Sequence, residues 1–244
     1  MTAANTAPLL DYRSMWAAKP VLRAVYSDLF SRRLARRVAG PALEIGGGVG
    51  GLKELAPDLI SSDIQYASWL DLVANAQALP FADGSLATIL MLDVLHHVEF
   101  PARFFWEAER VLRPGGRVVM VEPAITPGSS LFYRFMHHEP VRMSADPLAE
   151  GSPDPERDPY DSNQAIPTLI ATRDKARFLA RFPRLRIAET LWFSFAVYPL
   201  SGGFQKWSLM PESAARPLLR IENALENSVG RAFGFRLLMT FEKL

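Results

Sequence analysis

The stretch Ala42-Leu-Glu-Ile-Gly-Gly-Gly-Val-Gly-Gly51 places a cluster of glycines directly after a short apolar run and before a helical pattern. Glycine lets the backbone turn tightly and approach a ligand without side-chain clash. The start of the following helix adds unpaired N–H groups and a positive potential, which favour polar or anionic ligand groups. We therefore expect a ligand site at this loop, and the alternative is a merely tight turn between a strand and a helix.

Around this loop, short apolar runs alternate with helical patterns, which is typical of βαβ units and a parallel sheet. Up to residue 123 the predicted strands are Ala42–Ile45, Leu59–Ile64, Leu86–Leu92 and Arg117–Glu122. Helices are predicted at about 50–57, 66–73 and 101–112, and Pro114-Gly115-Gly116 ends the last of these. Further along, the pattern predicts a helix at Thr172–Phe182 with Thr172 as its N-cap, a strand at Leu185–Ser194, a helix at about 213–228 and a strand at Phe235–Glu242.

The glycine loop alone leaves its ligand open. Gly46, Gly48 and Gly50 fit the spacing E-x-G-x-G-x-G, whereas Gly46, Gly48 and Gly51 fit a dinucleotide fingerprint equally well. Asp63, at the end of the second strand, does not decide between them, because an acid there would bind the ribose hydroxyls of either cofactor.

The segments downstream favour one of the two ligands. Asn75-Ala-Gln-Ala-Leu-Pro-Phe81, then Asp83-Gly84-Ser85, then LATILMLDVLHHVEFP and VLRPGGRVVMVEP follow one another in the chain. This series resembles the successive motifs of the class I S-adenosylmethionine (SAM)-dependent methyltransferases, and most of all the group related to ubiquinone and menaquinone biosynthesis methyltransferases. The resemblance covers roughly residues 40–123. It implies a Rossmann-like α/β fold of three layers, with a seven-stranded, mostly parallel sheet whose last strand is antiparallel.

Carried over position by position, the resemblance implies a set of cofactor contacts and a methyl acceptor. Glu44 and the backbone at Gly46, Gly48 and Gly50 would hold the amino-acid end of SAM, and Asp63 would bind the ribose. Beside the adenine, the implied contacts are Ile64, Asn75 (where the family often has aspartate) and Ala76; Asp93 and His97 would face the methyl group and the acceptor.

The expected function is transfer of a methyl group from SAM to oxygen, nitrogen or carbon of a small molecule by in-line displacement. A nicotinamide-dependent oxidoreductase is the first alternative, although it leaves the motifs after Asp63 unexplained and the chain has no evident Tyr-x-x-x-Lys pair. A SAM-binding module without catalysis is the second, and the intact glycine loop does not exclude it.

The four histidines fall in two adjacent pairs, His96-His97 and His137-His138. Neighbouring residues on a helix point about 100° apart, so that one member of each pair can face the crevice. The candidate catalytic residues are therefore His97 together with His137 or His138. No metal is predicted, although a site built from these pairs with Glu122 or Glu139 stays open as an alternative.

The chain is expected to form a single domain over residues 1–244. Its parts are a helical segment at 1–40, a SAM-binding core at 41–123, a proline-rich insertion or lid at 124–170 and an aromatic-rich C-terminal half at 171–244. The aromatic residues 192–207 favour core packing, with a cover over the acceptor as the alternative.

Composition narrows the choice of partners and of location. The net charge of +1 implies no bulk attraction to nucleic acid, and the absence of cysteine excludes disulfides and thiolate chemistry. Neither a secretory signal nor a membrane span is evident, so we expect a cytoplasmic protein. A homodimer is a further expectation from the aromatic C-terminal surface.

Overall fold

The computed structural model describes residues 7–136 and 139–244. Its centre is a seven-stranded sheet in the order β3-β2-β1-β4-β5-β7-β6. The strands are β1 Ala42–Ile45, β2 Ile60–Asp63, β3 Leu72–Val73, β4 Leu86–Leu92, β5 Leu112–Pro123, β6 Leu185–Phe193 and β7 Arg236–Lys243. The helices are α1 Ala7–Ala18, α2 Pro20–Leu34, α3 Gly51–Leu55, α4 Pro101–Val111, α5 Pro127–Met136, α6 Ile166–Ala171, α7 Lys175–Arg181, α8 Val197–Ser201 and α9 Glu212–Phe233, with a 3-10 turn at Leu95–His97.

The directions of the strands confirm the predicted fold class. Strands β1 to β5 pair in parallel, whereas β7 runs antiparallel between β5 and β6. The order reverses beside β1, where β2 lies on one side and β4 on the other. In an open parallel sheet this switch point opens a crevice at the carboxyl ends of the strands, and ligands bind there.

Alternate residues of the central strands supply two hydrophobic cores, one on each face of the sheet. Ile89 and Met91 of β4 pack on one face with α4, α6 and α7, while Leu90 packs on the other face with α2, α3, α8 and α9. The sheet is therefore the middle of three layers, as expected for the fold.

One predicted helix and one predicted N-cap are wrong, and two elements are longer than predicted: β5 begins at Leu112 instead of Arg117, and α9 ends at Phe233 instead of about residue 228. The predicted helix at 66–73 is wrong: the chain turns there and ends in β3, whose Leu72 and Val73 pair with β2. Thr172 is the C-cap of α6 rather than the N-cap of a helix, because its hydroxyl donates back to the Thr168 carbonyl. The helix predicted from Thr172 is α7, whose N-cap is Asp174.

The segment 124–170 is only partly irregular. It contains α5 and α6, and the chain forms turns and bends from Glu139 to Ala165. Within the described ranges 7–136 and 139–244, no helix combines the length and the apolar character needed to cross a bilayer.

Candidate functional site

A cavity of about 980 Å³ opens at the carboxyl ends of the strands, at the switch point of the sheet. One part of its lining follows β1, β2 and β3, and we call it the glycine half: Glu44, Gly46–Gly48, Asp63–Gln65 and Asn75–Gln77. The other part lies over β4, β5 and β7, and we call it the arginine half: Tyr26, Asp93, His96, His97, Tyr133, Glu139, Tyr198 and Arg236. The sheet thus joins two chemically different surfaces in one space.

The loop after β1 has a shape that only glycine fills easily. Gly46 has a φ of +75°, and a Cβ placed there would lie 2.2 Å from Cγ2 of Val94. Gly48 has a φ of +49°, but a Cβ there would meet nothing closer than the Gly46 carbonyl oxygen, at 3.9 Å. Gly46 is therefore required by packing, whereas Gly48 leaves its backbone open to the cavity.

Gly50, predicted to contact the cofactor, does not line this cavity. It adopts a φ of +80° as the N-cap of α3 and donates its N–H to the Gly47 carbonyl at 2.8 Å. Its place in the structure is in the turn that shapes the loop.

Asp63 lies at the end of β2 and holds the loop from the side. Its Oδ2 accepts the Gly48 N–H at 3.0 Å, and its Oδ1 accepts the Gln65 N–H at 3.0 Å. Burial raises the pKa of this carboxyl, although the backbone donors partly oppose the shift. Ile64 follows with an exposed side chain on the cavity wall.

Glu44 lies beneath the loop and faces a residue that the sequence did not single out. Its Oε1 is 3.6 Å from the guanidinium of Arg33, which is fully buried on α2. Burial raises the pKa of Glu44 to about 7, even though Arg33 acts in the opposite direction. Its Oε2 is buried and makes no hydrogen bond within the described part of the chain.

Asn75 and Ala76 line the far end of the glycine half. The side-chain oxygen of Asn75 accepts the Gln77 N–H at 2.8 Å, which fixes the turn after β3. A carbonyl oxygen has two lone pairs, so this bond leaves one of them available for a ligand.

The arginine half is centred on an ion pair that crosses the sheet. Asp93 follows β4 with a φ of +56° and binds both terminal nitrogens of Arg236, the first residue of β7; the distance from Oδ2 to the second nitrogen is 3.0 Å. The guanidinium carbon of Arg236 also lies 3.8 Å from the ring centre of Tyr198. Asp93, predicted to face the cofactor, is therefore held by an arginine that sequence reasoning missed.

Three tyrosines surround this ion pair: Tyr26, Tyr133 and Tyr198. Burial raises the pKa of each of them above its usual value. Their hydroxyls therefore stay protonated at neutral pH, and a neutral hydroxyl can either donate or accept a hydrogen bond.

His96 is the buried member of its pair and is fixed by a carboxylate. Glu122, near the end of β5, accepts the N–H groups of Val94 and Leu95 through Oε1, and its Oε2 lies 2.7 Å from Nδ1 of His96. Burial opposes protonation of His96, but the hydrogen bond and charge of Glu122, together with the charges of Asp93 and Glu139, outweigh it, so the pKa of His96 is raised.

His97, the predicted catalytic residue, also lines the cavity. Its Nδ1 is 3.3 Å from the Asp161 carbonyl, which can only accept, so this nitrogen carries the proton. Burial and the neighbouring His96 lower the pKa of His97 to about 4, and it is neutral at physiological pH. His137 and His138, the other catalytic candidates, lie outside the described residues.

Several residues of the arginine half escaped sequence reasoning because they come from distant segments. Tyr26 is on α2, Tyr198 on α8 and Arg236 on β7, and no local motif connects them. Glu139 was named only as an alternative metal ligand, and the signal for it was the adjacent histidine pair.

With this geometry in place, the chain can be compared with known proteins. A family model described as "Methyltransferase domain" matches residues 43–120, from β1 to β5. A segment of 51 residues is 49% identical to an uncharacterized 37.1 kDa protein in transposon TN4556 of Streptomyces fradiae. That alignment covers 21% of this chain and 15% of the relative, so it spans a small part of both.

Solved structures with the same fold cover most of the chain. A SAM-dependent methyltransferase from Thermotoga maritima, described as a possible histamine N-methyltransferase, has a TM-score of 0.54 at 14% identity and covers 92% of each chain. One from Archaeoglobus fulgidus has the same TM-score and identity, over 91% of this chain and 94% of its own. Geranyl diphosphate C-methyltransferase from Streptomyces coelicolor has a TM-score of 0.50 at 15% identity, over 90% and 79%.

Residues 43–120 therefore match a methyltransferase domain, and the chain has the fold of the SAM-dependent methyltransferases. The prediction of this superfamily is confirmed, and with it the prediction of SAM as the cofactor; binding of SAM at the glycine loop stays a prediction. The ubiquinone- and menaquinone-related subgroup is not distinguished by these relatives and stays a prediction.

Proposed function

We propose that this protein transfers the methyl group of SAM to a small molecule bound in the arginine half of the cavity. The observation that carries the proposal is the continuity of the cavity: the loop of the matched methyltransferase domain and a polar, tyrosine-lined surface line one and the same space. A cofactor on one half and an acceptor on the other would meet beside Asp93.

The glycine half fits SAM. Gly48 leaves open space that a side chain would occupy, Gly46 lets the loop pass close to Val94, and the buried carboxylate of Asp63 lies beside them. In the proposed complex Asp63 accepts from the ribose hydroxyls, Ile64 packs on the adenine, and Asn75 with Ala76 binds the adenine edge. Glu44 and the backbone of Gly46 and Gly48 bind the amino-acid end. SAM supplies a methyl group bound to a sulfonium sulfur. Once the methyl group is transferred, the rest of SAM leaves as a neutral thioether.

Aromatic side chains at the edge of the cavity favour a small acceptor. Three separate segments narrow the cavity: α1 through Tyr12, the 153–160 loop through Tyr160, which lies beside Gln65, and the chain after α8 through Phe204, which packs on Tyr26. The ring of Tyr12 lies 6.3 Å from that of Tyr160 and 5.1 Å from that of Phe204. We propose that these segments act as the lid predicted for residues 124–170 and for the aromatic C-terminal half. A cavity of this size suits ligands of drug-like dimensions.

Catalysis by this chain would rest mainly on alignment and the exclusion of water, which can supply roughly 7–11 kcal/mol. An acceptor hydroxyl would also need a base. In the chain without a bound cation, His97 is proposed for this role because its Nδ1–H is bound to Asp161, so Nε2 carries the lone pair. His137 and His138 remain candidates from the sequence alone.

The cofactor assignment is tested by calorimetry with SAM and with NAD. Asp63→Ala is expected to weaken SAM binding at least tenfold, which corresponds to about 1.5 kcal/mol or more. Asp63→Asn keeps an acceptor for only one of the two backbone N–H groups that Asp63 binds, so it removes the charge together with one hydrogen bond. Asp58→Ala, an exposed aspartate outside the cavity, is the matched control. Unchanged SAM affinity in Asp63→Ala, or tight NAD binding without SAM binding, would overturn the assignment.

The activity is tested with SAM carrying a labelled methyl group and a panel of alcohols, phenols, amines, carboxylic acids and isoprenoid diphosphates. The expected result is a labelled product with at least one class, and at subsaturating SAM the rate should be at least tenfold lower in Asp63→Ala than in the wild type. SAM binding without transfer to any class would favour a non-catalytic SAM-binding module. A cytoplasmic location, a homodimer and the absence of a nucleic-acid partner stay predictions.

A further inference from the structure

We infer that the arginine half contains a binding site for a divalent transition-metal cation, Zn²⁺ in the first place, formed by His96, His97 and Glu139. The three side chains offer ligand atoms that all lie within 4.8 Å of one another. What the cation would do for an acceptor rests on the proposed function, but its binding does not.

The set of ligands is appropriate for zinc. Two imidazoles and one carboxylate form a three-ligand set of the kind that zinc takes when a fourth position stays open. Imidazole nitrogen also favours Zn²⁺ and its neighbours in the transition series over Mg²⁺, which prefers oxygen.

The distances agree with a shared cation. Nε2 of His96 lies 3.7 Å from Oε2 of Glu139, which is beyond a normal hydrogen bond. Two ligands bound at about 2.1 Å on a tetrahedral zinc are roughly 3.4 Å apart. A shift of a few tenths of an ångström would therefore bring these two atoms to coordination distance.

Each imidazole is already oriented by its other nitrogen. Nδ1 of His96 is bound to Glu122, and Nδ1 of His97 to the Asp161 carbonyl. A cation would bind the lone pair on Nε2 of His97 and take the place of a proton on Nε2 of His96. Metal-binding histidines usually have such a carboxylate or carbonyl partner, which fixes the ring and increases the basicity of the ligand.

Glu139 is also held in place by its surroundings. Ser162 donates to its Oε2 at 2.9 Å, and the side-chain amide of Gln164 donates to the same oxygen. The loop that carries these donors is bound to the 3-10 turn, because the Asn163 N–H donates to the His96 carbonyl at 2.8 Å. The partners of all three ligands are thus linked to one another.

The proposed cation site lies on the wall of the cavity. His96, His97 and Glu139 all line the same space as Asp93 and Arg236. The open position of the cation would be available to an oxygen of the acceptor, so the proposed acceptor class is a molecule with a hydroxyl, carboxylate or carbonyl oxygen beside the methylation point.

The test uses the untagged full chain after treatment with a chelator and dialysis. Zn²⁺ is titrated by calorimetry without SAM, and the metal content is measured by mass spectrometry; Co²⁺ is titrated in parallel because its visible spectrum reports coordination. One equivalent per chain is expected. His96→Ala, His97→Ala and Glu139→Gln should each weaken Zn²⁺ binding at least 100-fold. Glu122→Gln, which keeps all three ligands, should weaken it 10- to 100-fold.

Glu99→Gln is the matched control, because Glu99 is a carboxylate of the same cavity outside the cluster. Its Zn²⁺ affinity should stay within threefold of the wild type. The inference is overturned if no Zn²⁺ binds, if the three ligand variants bind it as the wild type does, or if binding is lost only in the double variant His137→Ala/His138→Ala. In the latter two cases the ion binds elsewhere.

Failure of this inference is distinguishable from failure of the proposed function. Methyl transfer by a chain that binds no Zn²⁺ overturns the cation site and leaves the methyltransferase assignment intact. If one Zn²⁺ binds per chain with the expected variant effects but the chain transfers no methyl group, the cation site stands and the methyltransferase assignment fails.

Discussion

The two halves of the cavity differ in how the chain builds them. The glycine half comes from residues 44–77, a continuous part of the chain, and much of its shape is backbone shape. The arginine half brings together Tyr26, Asp93, Glu139, Tyr198 and Arg236, and its character lies in side-chain contacts across the sheet. Local sequence therefore determines the first, whereas only the tertiary fold determines the second.

This difference extends to energetics. In the glycine half, the cost of a substitution depends mainly on steric fit, because a Cβ added at Gly46 would collide with Val94. In the arginine half, the decisive quantity is the balance of a buried guanidinium, a carboxylate and tyrosine hydroxyls. Substitutions in the two halves should therefore have effects of different kinds.

The largest effect is expected for Gly46→Ala. The new Cβ would lie 2.2 Å from Cγ2 of Val94 at a φ of +75°. Left-handed strain costs roughly 1–2 kcal/mol and overpacking about 1–3 kcal/mol more. The free energy of unfolding, measured by urea denaturation, should fall by about 4 kcal/mol, and SAM affinity should fall at least 100-fold.

Two variants separate the causes of that loss. Gly84→Ala has a φ of +63° with no atom within 4 Å of the new Cβ, so it should show the strain alone. The double variant Gly46→Ala/Val94→Ala should regain about half of the lost stability. If Gly46→Ala were no more destabilising than Gly84→Ala, steric fit would not govern the glycine half.

Arg236→Met tests the arginine half. Removing one partner of a buried ion pair costs about 3–5 kcal/mol. Asp93 is partly exposed, so we expect a loss near 3 kcal/mol in the free energy of unfolding. Asp93→Asn/Arg236→Met should recover more than half of it. SAM affinity should stay within threefold of the wild type in the double variant, and a tenfold loss would mean that the two halves act as one binding surface.

The same contrast explains what the sequence could and could not predict. Buried parallel strands read as continuous apolar runs, so β1 and β4 were predicted to the residue, and the glycine cluster identified the loop. The segment 66–73 looked helical, but pairing of Leu72 and Val73 with β2 overrode that local preference. The sequence singled out the pair His96-His97, but it did not predict that Glu122, 26 residues further along the chain, holds His96 in place. Long-range partners of this kind leave no periodic signal.

The pH dependence of stability tests the charge beneath the glycine half. Burial raises the pKa of Glu44 from 4.5 to about 7, so the folded chain binds this proton more tightly than the unfolded chain does. The stability from this group is therefore present below pH 4.5 and is lost as pH rises through 7. Relative to Glu44→Gln, the wild type should lose on the order of 3 kcal/mol between pH 4 and pH 8. A difference that stays constant over this range would contradict the assignment.

The smallest effect is expected at Trp69, which supports the glycine loop from outside the cavity. Its Nε1–H donates to the Gly48 carbonyl at 2.8 Å, and its ring stacks under the guanidinium of Arg13 at 4.1 Å. Trp69→Phe removes the hydrogen bond and keeps an aromatic ring, which costs about 1 kcal/mol and should lower SAM affinity about fivefold in calorimetry. Arg13→Met removes only the stacking cation and should change SAM affinity less than twofold. Because Trp69 touches the loop at the same residue as Asp63, a loss in Trp69→Phe equal to that in Asp63→Ala would mean that the loop's position, and not the carboxylate, determines cofactor affinity.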